Sequence, residues 1–183
     1  MQMTKRSLIF GLLMVGGVFF LGSFIGYEKG GEAPGVIEFI GDAGSPNVFI
    51  FKKWEFTRAE VPNDDFTQVK VDLNINTSSL ECDWKDLEKS IRKKKDYFYV
   101  KKFPEATVSI DGAELQEDGS YITDAMLTLK GITKPVELSF TVSEEKPYVI
   151  KGSGVVKRRK FDFSGGGPKN EVPVNFEVTL PTE

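Results

Sequence analysis

The fold is decided by residues 126–142, which read Met-Leu-Thr-Leu-Lys-Gly-Ile-Thr-Lys-Pro-Val-Glu-Leu-Ser-Phe-Thr-Val. Side chains alternate between the two faces of a strand, so Leu127 and Leu129 share one face before Gly131. After this glycine, which provides the backbone freedom of a tight turn, apolar and polar residues alternate again. Pro135 is predicted to be the first residue of the second strand, because a proline has no N–H to donate. The stretch therefore predicts an antiparallel hairpin with one apolar and one polar face.

The same alternation recurs along the chain and predicts eight strands in total. They are residues 35–41, 48–56, 67–76, 106–116, 121–130, 135–142, 148–156 and 172–180. Within the second of these strands, the alternation breaks at Lys52 and Lys53, which predicts a bulge there. Most of the connections are short, so the strands are expected to be antiparallel.

Helical spacing interrupts this pattern once, where Trp84, Leu87 and Ile91 recur at intervals of three and four residues. Asp83 is the predicted N-cap of this short helix. Eight strands of this kind either close into a barrel or pack as two sheets. Closure leaves no exposed edge, so an all-β, eight-stranded antiparallel barrel with one short helix is the predicted fold.

An N-terminal extension precedes the predicted barrel. Lys5 and Arg6 come before an uncharged apolar run at residues 8–27, about the 20 residues that a membrane-spanning helix needs. The positive flank predicts a cytoplasmic N-terminus, which places the barrel on the other side of the membrane. The predicted organisation is a cytoplasmic N-terminus at 1–7, a transmembrane anchor or uncleaved signal at 8–27, a linker at 28–35 and the barrel domain at 36–183. A cleaved signal peptide is the alternative, although the small residues near position 24 form no clean cleavage site.

The charge and the cysteine content restrict the function further. Removing Lys5 and Arg6 from the 24 basic residues leaves 22 against 27 acidic ones, a net charge of −5 for the exported part. This balance argues against nucleic acid as a partner. Cys82 is the single cysteine and has no partner for an internal disulfide, so burial alone must stabilise the domain.

The residues offer little for catalysis. The chain contains no histidine, the usual general base near neutral pH, and its lone cysteine lacks an activating histidine. The carboxylates of Asp64, Asp65, Asp111, Glu144 and Glu145 lie in predicted turns and are expected to be solvated charges. We therefore expect a protein that is not an enzyme and that has no cofactor and no metal site.

The predicted barrel interior is rich in large apolar side chains. The candidates for contact with a ligand inside the barrel are Phe39, Phe49, Phe51, Val71, Leu73, Ile110, Leu127, Leu129, Leu138, Phe140 and Phe176. Gly152 and Gly154 fall on the same inward face, where they either leave room for a channel or mark a strand bend. The pattern alone is compatible with a filled core and with a slender cavity.

Three segments resemble signature sequences of the YceI-like family. They are residues 96–107, 127–136 and 157–163, in the family's order and at its spacing. The resemblance covers residues 36–179 and implies an extended, lipocalin-like antiparallel barrel, usually exported, that holds a polyisoprenoid chain or another amphiphile. The chain departs from the family in lacking the histidine that commonly occurs in the opening strand.

Together these observations predict an extracytoplasmic carrier of a long-chain lipophilic ligand, either polyisoprenoid, quinone-like or fatty-acyl. The N-terminal helix would hold it in the inner, cytoplasmic membrane as a single-pass protein, with the barrel in the periplasm or outside the cell. Arg158 and Arg159 are the candidates for contact with a lipid headgroup or with the membrane surface. The alternative function is a ligand-free, membrane-tethered interaction or scaffold module of the cell envelope.

Overall fold

The computed structural model describes residues 34–41, 47–166 and 169–181. The predicted N-terminus at 1–7, the predicted anchor at 8–27 and most of the predicted linker lie outside these residues. Among the residues described, none belongs to a helix that is long and apolar enough to span a bilayer.

The described chain forms one α-helix and eleven strands that pair only in antiparallel fashion. The helix, α1, is Lys85–Lys93. The strands are β1 Gly35–Ile40, β2 Val48–Phe51, β3 Trp54–Glu60, β4 Lys70–Asn76, β5 Leu80–Glu81, β6 Glu105–Asp111, β7 Glu114–Leu115, β8 Tyr121–Leu129, β9 Ile132–Val142, β10 Val149–Lys157 and β11 Glu171–Thr179.

The prediction of eight strands is therefore wrong in number. The predicted strand 48–56 divides into β2 and β3 at Lys52 and Lys53, both exposed, where the alternation breaks. The predicted strand 106–116 divides into β6 and β7 at Gly112, whose positive φ of 88° is incompatible with an extended strand. The two-residue strand β5 was not predicted, because it is too short to show a period.

The strands form one sheet in the order β3-β4-β6-β8-β9-β10-β11-β1-β2-β5, with β7 paired to β8. The path ends at β3 and β5, and these two ends meet at Lys52 and Lys53, where β2 leads directly into β3. At the junction, Lys52 N–H donates to Ser79 O over 3.2 Å and Asn76 N–H donates to Lys53 O over 3.0 Å. The sheet thus curls round on itself as a lipocalin-like barrel with an apolar interior.

The hairpin at 126–142 forms as predicted, with a two-residue turn at Lys130 and Gly131. Both turn residues have positive φ, 50° and 75°, the conformation that matches the twist of the flanking strands. The placement of Pro135 at the start of the second strand is wrong, because β9 begins at Ile132. Pro135 is tolerated inside β9 because β10 pairs with β9 only from Leu138 onward, so no ladder bond is lost on that side.

Helix α1 forms where it was predicted, but its N-cap is Trp84 rather than Asp83. The carboxylate of Glu88 reaches back beyond the helix and accepts a hydrogen bond from Cys82 N–H at 3.2 Å. A side chain from within the first turn thus satisfies a main-chain donor near the helix start, which makes a capping aspartate unnecessary. Ile91 is buried and holds the helix against the barrel.

The loops gather at two opposite ends of the barrel. We call one the helix end; it comprises residues 52–53, 82–104, 130–131 and 158–166. We call the other the far end; it comprises residues 61–69, 111–121 and 143–148. Hydrogen bonds join the loops within each end: Gly165 N–H donates to Asp96 O at the helix end, and Gly112 N–H donates to Val69 O at the far end.

Candidate functional site

The barrel encloses an apolar cavity of about 200 Å³. Its walls come from the inward faces of the strands, where the period of two places one apolar side chain at every second position. Small side chains on the inward faces, notably Ala106 and Ala125, leave space that the facing residues do not fill. The interior of the barrel is therefore hollow.

Ten of the eleven predicted interior residues line this cavity. They are Phe39, Phe51, Val71, Leu73, Ile110, Leu127, Leu129, Leu138, Phe140 and Phe176. Phe49 does not line it, because its ring stacks behind that of Phe39, with centroids 4.7 Å apart and planes inclined by 6°. Whether these residues contact a ligand stays a prediction.

The wall also contains residues outside the predicted set, some from regular strands and some from loops. Tyr97, Phe98 and Phe163 line the cavity from loops at the helix end, where no period in the sequence marks an inward face. Phe56 lines it from β3, because the break at residues 52 and 53 shifts the inward positions from odd to even numbers. The break in the alternation could have indicated that Phe56 faces inward. The alternation gives no such indication for the three loop residues.

Four aromatic rings close the cavity at the helix end. The rings of Phe39 and Phe51 each lie with their centroids 5.8 Å from that of Phe98. Phe98 in turn meets Phe163 nearly at a right angle, with centroids 5.0 Å apart. Tilted and edge-to-face contacts of this kind add to the stability that burial provides. The helix end is thus a packed aromatic plug rather than an open rim.

A second aromatic group covers the far end. The ring of Phe66 lies between those of Tyr121 and Tyr148, with centroids 5.9 Å and 5.1 Å away. Tyr121 also stacks on Phe140 at 5.3 Å. Phe66 is buried because a single 3-10 turn, Phe66–Gln68, directs it inward. Of these four rings, that of Phe140 lines the cavity, and the other three pack beyond it at the far end.

The two inward glycines do not leave an open channel. A Cβ at Gly152 would lie 2.3 Å from the ring of Phe176 and 2.7 Å from Cβ of Phe140. A Cβ at Gly154 would lie 2.5 Å from the side chain of Leu138. The space that the glycines vacate is filled by side chains from β9 and β11, so the cavity lies among these side chains instead.

The side chains of Arg158 and Arg159 lie in different environments, one buried and one exposed. Arg158 is buried, lines the cavity and donates through Nε to Lys169 O at 3.0 Å and through Nη1 to Phe163 O at 2.8 Å. Arg159 is exposed, and its main-chain N–H donates to the side chain of Asn170. Only Arg159 is therefore positioned to meet a surface outside the barrel.

Local hydrogen bonds lower the pKa of three carboxylates in the far-end turns, those of Asp64, Asp65 and Asp118. Lys146, which lies 2.6 Å from the carboxylate of Asp64, holds the pKa of that group below its usual range. The hydroxyl of Thr67 and that of Ser120 lower the pKa of Asp65 and Asp118 in the same way. No group of His, Cys, Asp or Glu in the described part of the chain could hold a metal ion.

The sequence matches the profile of the YceI-like domain over residues 45–180. The chain belongs to the YceI-like domain family. It is 33% identical over 111 residues to a UPF0312 protein of Photorhabdus laumondii, which covers 56% of each chain. The chain thus spans little more than half the length of this curated relative.

Solved structures share the fold of this YceI-like domain. BcnA of Burkholderia cenocepacia superposes with a TM-score of 0.72 at 21% identity, covering 80% of this chain and 96% of BcnA. A polyisoprenoid-binding domain of Saccharophagus degradans superposes with a TM-score of 0.60 at 13% identity, covering 82% of this chain and 96% of that domain. At these identities the likeness establishes the barrel fold.

The three segments that carry the YceI-like resemblance meet at the helix end. The buried ammonium of Lys130, from the second segment, donates to the main-chain oxygen of Lys95, next to the first segment, over 2.8 Å. It also donates to Asp162, in the third segment. The hydroxyl of Ser164, directly after the third segment, donates to the carboxylate of Asp96 in the first segment at 3.0 Å. The resemblance therefore follows a connected structural unit beside the aromatic plug.

Proposed function

We propose that this YceI-like protein binds a long-chain lipophilic molecule in the barrel cavity, either polyisoprenoid, quinone-like or fatty-acyl. The observation that carries the proposal is the apolar cavity of about 200 Å³. The polyisoprenoid-binding domain of Saccharophagus degradans, which shares this fold, supports a chain-like ligand. The protein would shelter and carry this ligand rather than transform it.

Elementary energetics favours such a ligand over water in the cavity. An apolar cavity of about 150 Å³ stays dry and accepts a benzene-sized guest, and the space in this barrel is larger. Each methylene group moved out of water contributes about 0.8 kcal/mol, so a few isoprene units suffice for micromolar affinity. Chain length and width, rather than polar contacts, would then determine specificity.

We also propose that the barrel works outside the cytoplasm on a membrane tether. Lys5 and Arg6, followed by the uncharged residues 8–27, support this topology. A fusion of alkaline phosphatase to the C-terminus tests it, since that enzyme is active only after export. Sequencing the N-terminus of the mature protein distinguishes an anchor from a cleaved signal.

The central experiment identifies what the cavity holds. Full-length protein is purified, its lipid extract is analysed by mass spectrometry, and retention of an added long-chain polyprenol and of palmitic acid is measured. We expect a co-purifying apolar chain, or retention of an added one at micromolar concentration. An extract without any such lipid, together with no retention of either probe, would reject the carrier and leave the scaffold function.

A matched pair of variants assigns the binding to the cavity. Ala125 is buried against the cavity, whereas its neighbour Met126 points outward and is 43% exposed. Ala125→Leu should fill the cavity and reduce retention of the polyprenol at least about tenfold, while Met126→Leu should leave it unchanged. Thermal unfolding measurements check that both variants are folded. If Ala125→Leu is unstable, Ala106→Leu is a second variant that fills the cavity.

A further inference from the structure

The two ends of the barrel carry opposite charge. The helix end contains fourteen lysines and arginines and five aspartates and glutamates. The far end contains eight acidic residues and one lysine. The net charge of the whole chain, −3, hides this separation because the two ends nearly cancel. The barrel is therefore a strong electrostatic dipole along its axis.

Helix α1 presents its basic residues as one stripe. Lys85, Lys89 and Lys93 are spaced by four residues, so they lie on the same side of the helix, and all three are exposed. The opposite side carries Ile91, which is buried against the barrel. Lys85 is paired with Glu88 at 2.9 Å, whereas the ammonium groups of Lys89 and Lys93 contact no described carboxylate within ion-pair distance. The stripe thus faces solvent with most of its charge uncompensated.

An exposed indole accompanies this stripe. Trp84 immediately precedes α1 and is 59% exposed, the largest fraction among the exposed hydrophobic residues of the described chain. Further exposed cations follow the helix at the same end. They are Lys94, Lys95, Lys101, Lys102, Arg159 and Lys160. A tryptophan among lysines and arginines is typical of protein segments that lie at the interface between a bilayer and water.

We infer that the helix end is a docking surface for an anionic lipid bilayer, with Trp84 at the level of the lipid headgroups. Clusters of four to eight lysines and arginines on or beside an amphipathic helix bind acidic lipid surfaces. The acidic far end is repelled by the same surface, so the dipole orients the barrel with its helix end toward the lipid. Docking in this orientation brings the aromatic plug of the cavity next to the bilayer.

A second copy of the chain is the main competing occupant, because its acidic far end complements the basic helix end. The exposed indole of Trp84 distinguishes a lipid bilayer from a second copy of the chain as the occupant of this surface. Lysine stems and a tryptophan ring can enter the headgroup layer while the ammonium groups meet lipid phosphates. The far end offers no comparable layer to receive the ring. We therefore commit to the lipid surface, and self-association is an outcome of the test.

In the test, the anionic lipid is supplied in vesicles separate from those that carry the protein. The described chain enters the barrel at the far end, where Pro34 O accepts a hydrogen bond from Thr179 N–H, opposite the proposed surface. Full-length protein is first carried in neutral phosphatidylcholine vesicles, which accommodate any insertion by residues 8–27. Vesicles of phosphatidylcholine with phosphatidylglycerol and brominated acyl chains are then added, and tryptophan fluorescence is recorded. Trp54 is only 6% exposed, so quenching reports on Trp84.

We expect quenching by brominated anionic vesicles, none by brominated neutral vesicles, and reversal by salt. Neutralising a lysine near an anionic surface should weaken vesicle affinity about fivefold. The double variant Lys89→Gln with Lys93→Gln should thus lose affinity about 25-fold, without loss of helix propensity. Lys146→Gln with Lys151→Gln removes the same charge away from the helix end and should keep the affinity of the natural sequence.

Several results would overturn the inference. These are equal quenching by neutral and anionic vesicles, no quenching by either, or equal loss in the two double variants. Salt-sensitive light scattering in the absence of anionic vesicles, abolished by Lys89→Gln with Lys93→Gln, would assign the surface to a second copy instead. Occupancy of the cavity is a separate measurement, so failure of docking leaves the carrier proposal intact.

Discussion

The ammonium group of Lys130 donates hydrogen bonds to both the main-chain oxygen and the carboxylate of Asp162, the latter at 3.2 Å. Its third N–H donates to Lys95 O, so all three donors are used, and the Lys130 side chain is only 4% exposed. Lys130 adopts a φ of 50°, at a turn position where Asn or Gly is ordinarily preferred. The lysine tolerates this backbone because its side chain joins three loops beside the aromatic plug.

Lys130→Met should lower the free energy of unfolding by about 2 kcal/mol, because it leaves the main-chain oxygens of Lys95 and Asp162 without their charged donor. Hydrogen exchange of residues 158–166 should accelerate in the same variant. Denaturant unfolding and exchange mass spectrometry measure the two effects. Lys134→Met, at an exposed position of the same hairpin, is the control. Equal stability of the two variants would show that the buried ammonium contributes nothing.

Gly152→Ala should destabilise the barrel by about 1–3 kcal/mol, because the new methyl group would lie 2.5 Å from the main-chain oxygen of Ser139. The main chain cannot move aside as a flexible side chain would. The free-energy cost of the clash should therefore exceed the stabilisation that alanine gives by lowering the conformational entropy of the unfolded chain. Gly166→Ala is the control, since no atom lies within 4 Å of its added methyl group. A Gly152→Ala protein that melts at the temperature of the control would contradict the prediction.

Glu88→Gln should reduce stability by about 1 kcal/mol at neutral pH. The hydrogen bond from Lys85 is the main reason that the pKa of Glu88 is lower than its ordinary value of 4.5. A lowered pKa means that the carboxylate stabilises the fold above the unfolded pKa and ceases to do so as the pH falls through the folded pKa. The difference between variant and natural sequence should therefore shrink as the pH falls below 4.5 and through the lower folded pKa.

Denaturant unfolding at a series of pH values checks the Glu88 prediction. Asp86→Asn is the control, because Asp86 is exposed in the same helical turn and forms no ion pair with a described residue. A difference that persists unchanged at low pH would mean that packing, rather than the charge of Glu88, is responsible.

Cys82 should react slowly with thiol reagents in the folded protein. Its side chain is buried, its Sγ donates to Trp84 O over 3.2 Å, and burial raises the pKa of the thiol above its ordinary value. Because the thiolate is the reactive form, labelling by a disulfide reagent near pH 8 should be at least about tenfold slower than in denaturant. Equal rates would show that the start of α1 opens freely in solution.

The regular strands were largely predictable because apolar and polar residues alternate along a strand that has one buried face. Leu127, Leu138 and Phe176 were placed inside the barrel from alternation alone, and all three line the cavity. The break at Lys52 and Lys53 was also visible, since two adjacent charges cannot both face an apolar interior. The helix was recognisable from the spacing of Leu87 and Ile91, although its exact start was not.

The ends of the barrel were not predictable in the same way. Phe98 and Phe163 lie in irregular loops, so no period shows that they close the cavity. Phe49 occupies an inward position in the alternation, yet its ring stacks on the side of Phe39 that faces away from the cavity. The curvature of the sheet determines which of the two rings reaches the interior. The run that contains Arg158 and Arg159 reads as uniformly basic, but a single 3-10 turn buries one side chain and exposes the other.

Most of the strands, the apolar face of each, and the family to which the chain belongs could be predicted from the order of the residues alone. These properties depend on neighbours along the chain, and alternation records them directly. Three properties are visible only in the folded barrel: its interior is hollow, Lys130 joins three distant segments, and charge separates to its opposite ends. Each of these depends on which loops meet in space, and sheet curvature and strand order bring those loops together from distant parts of the chain.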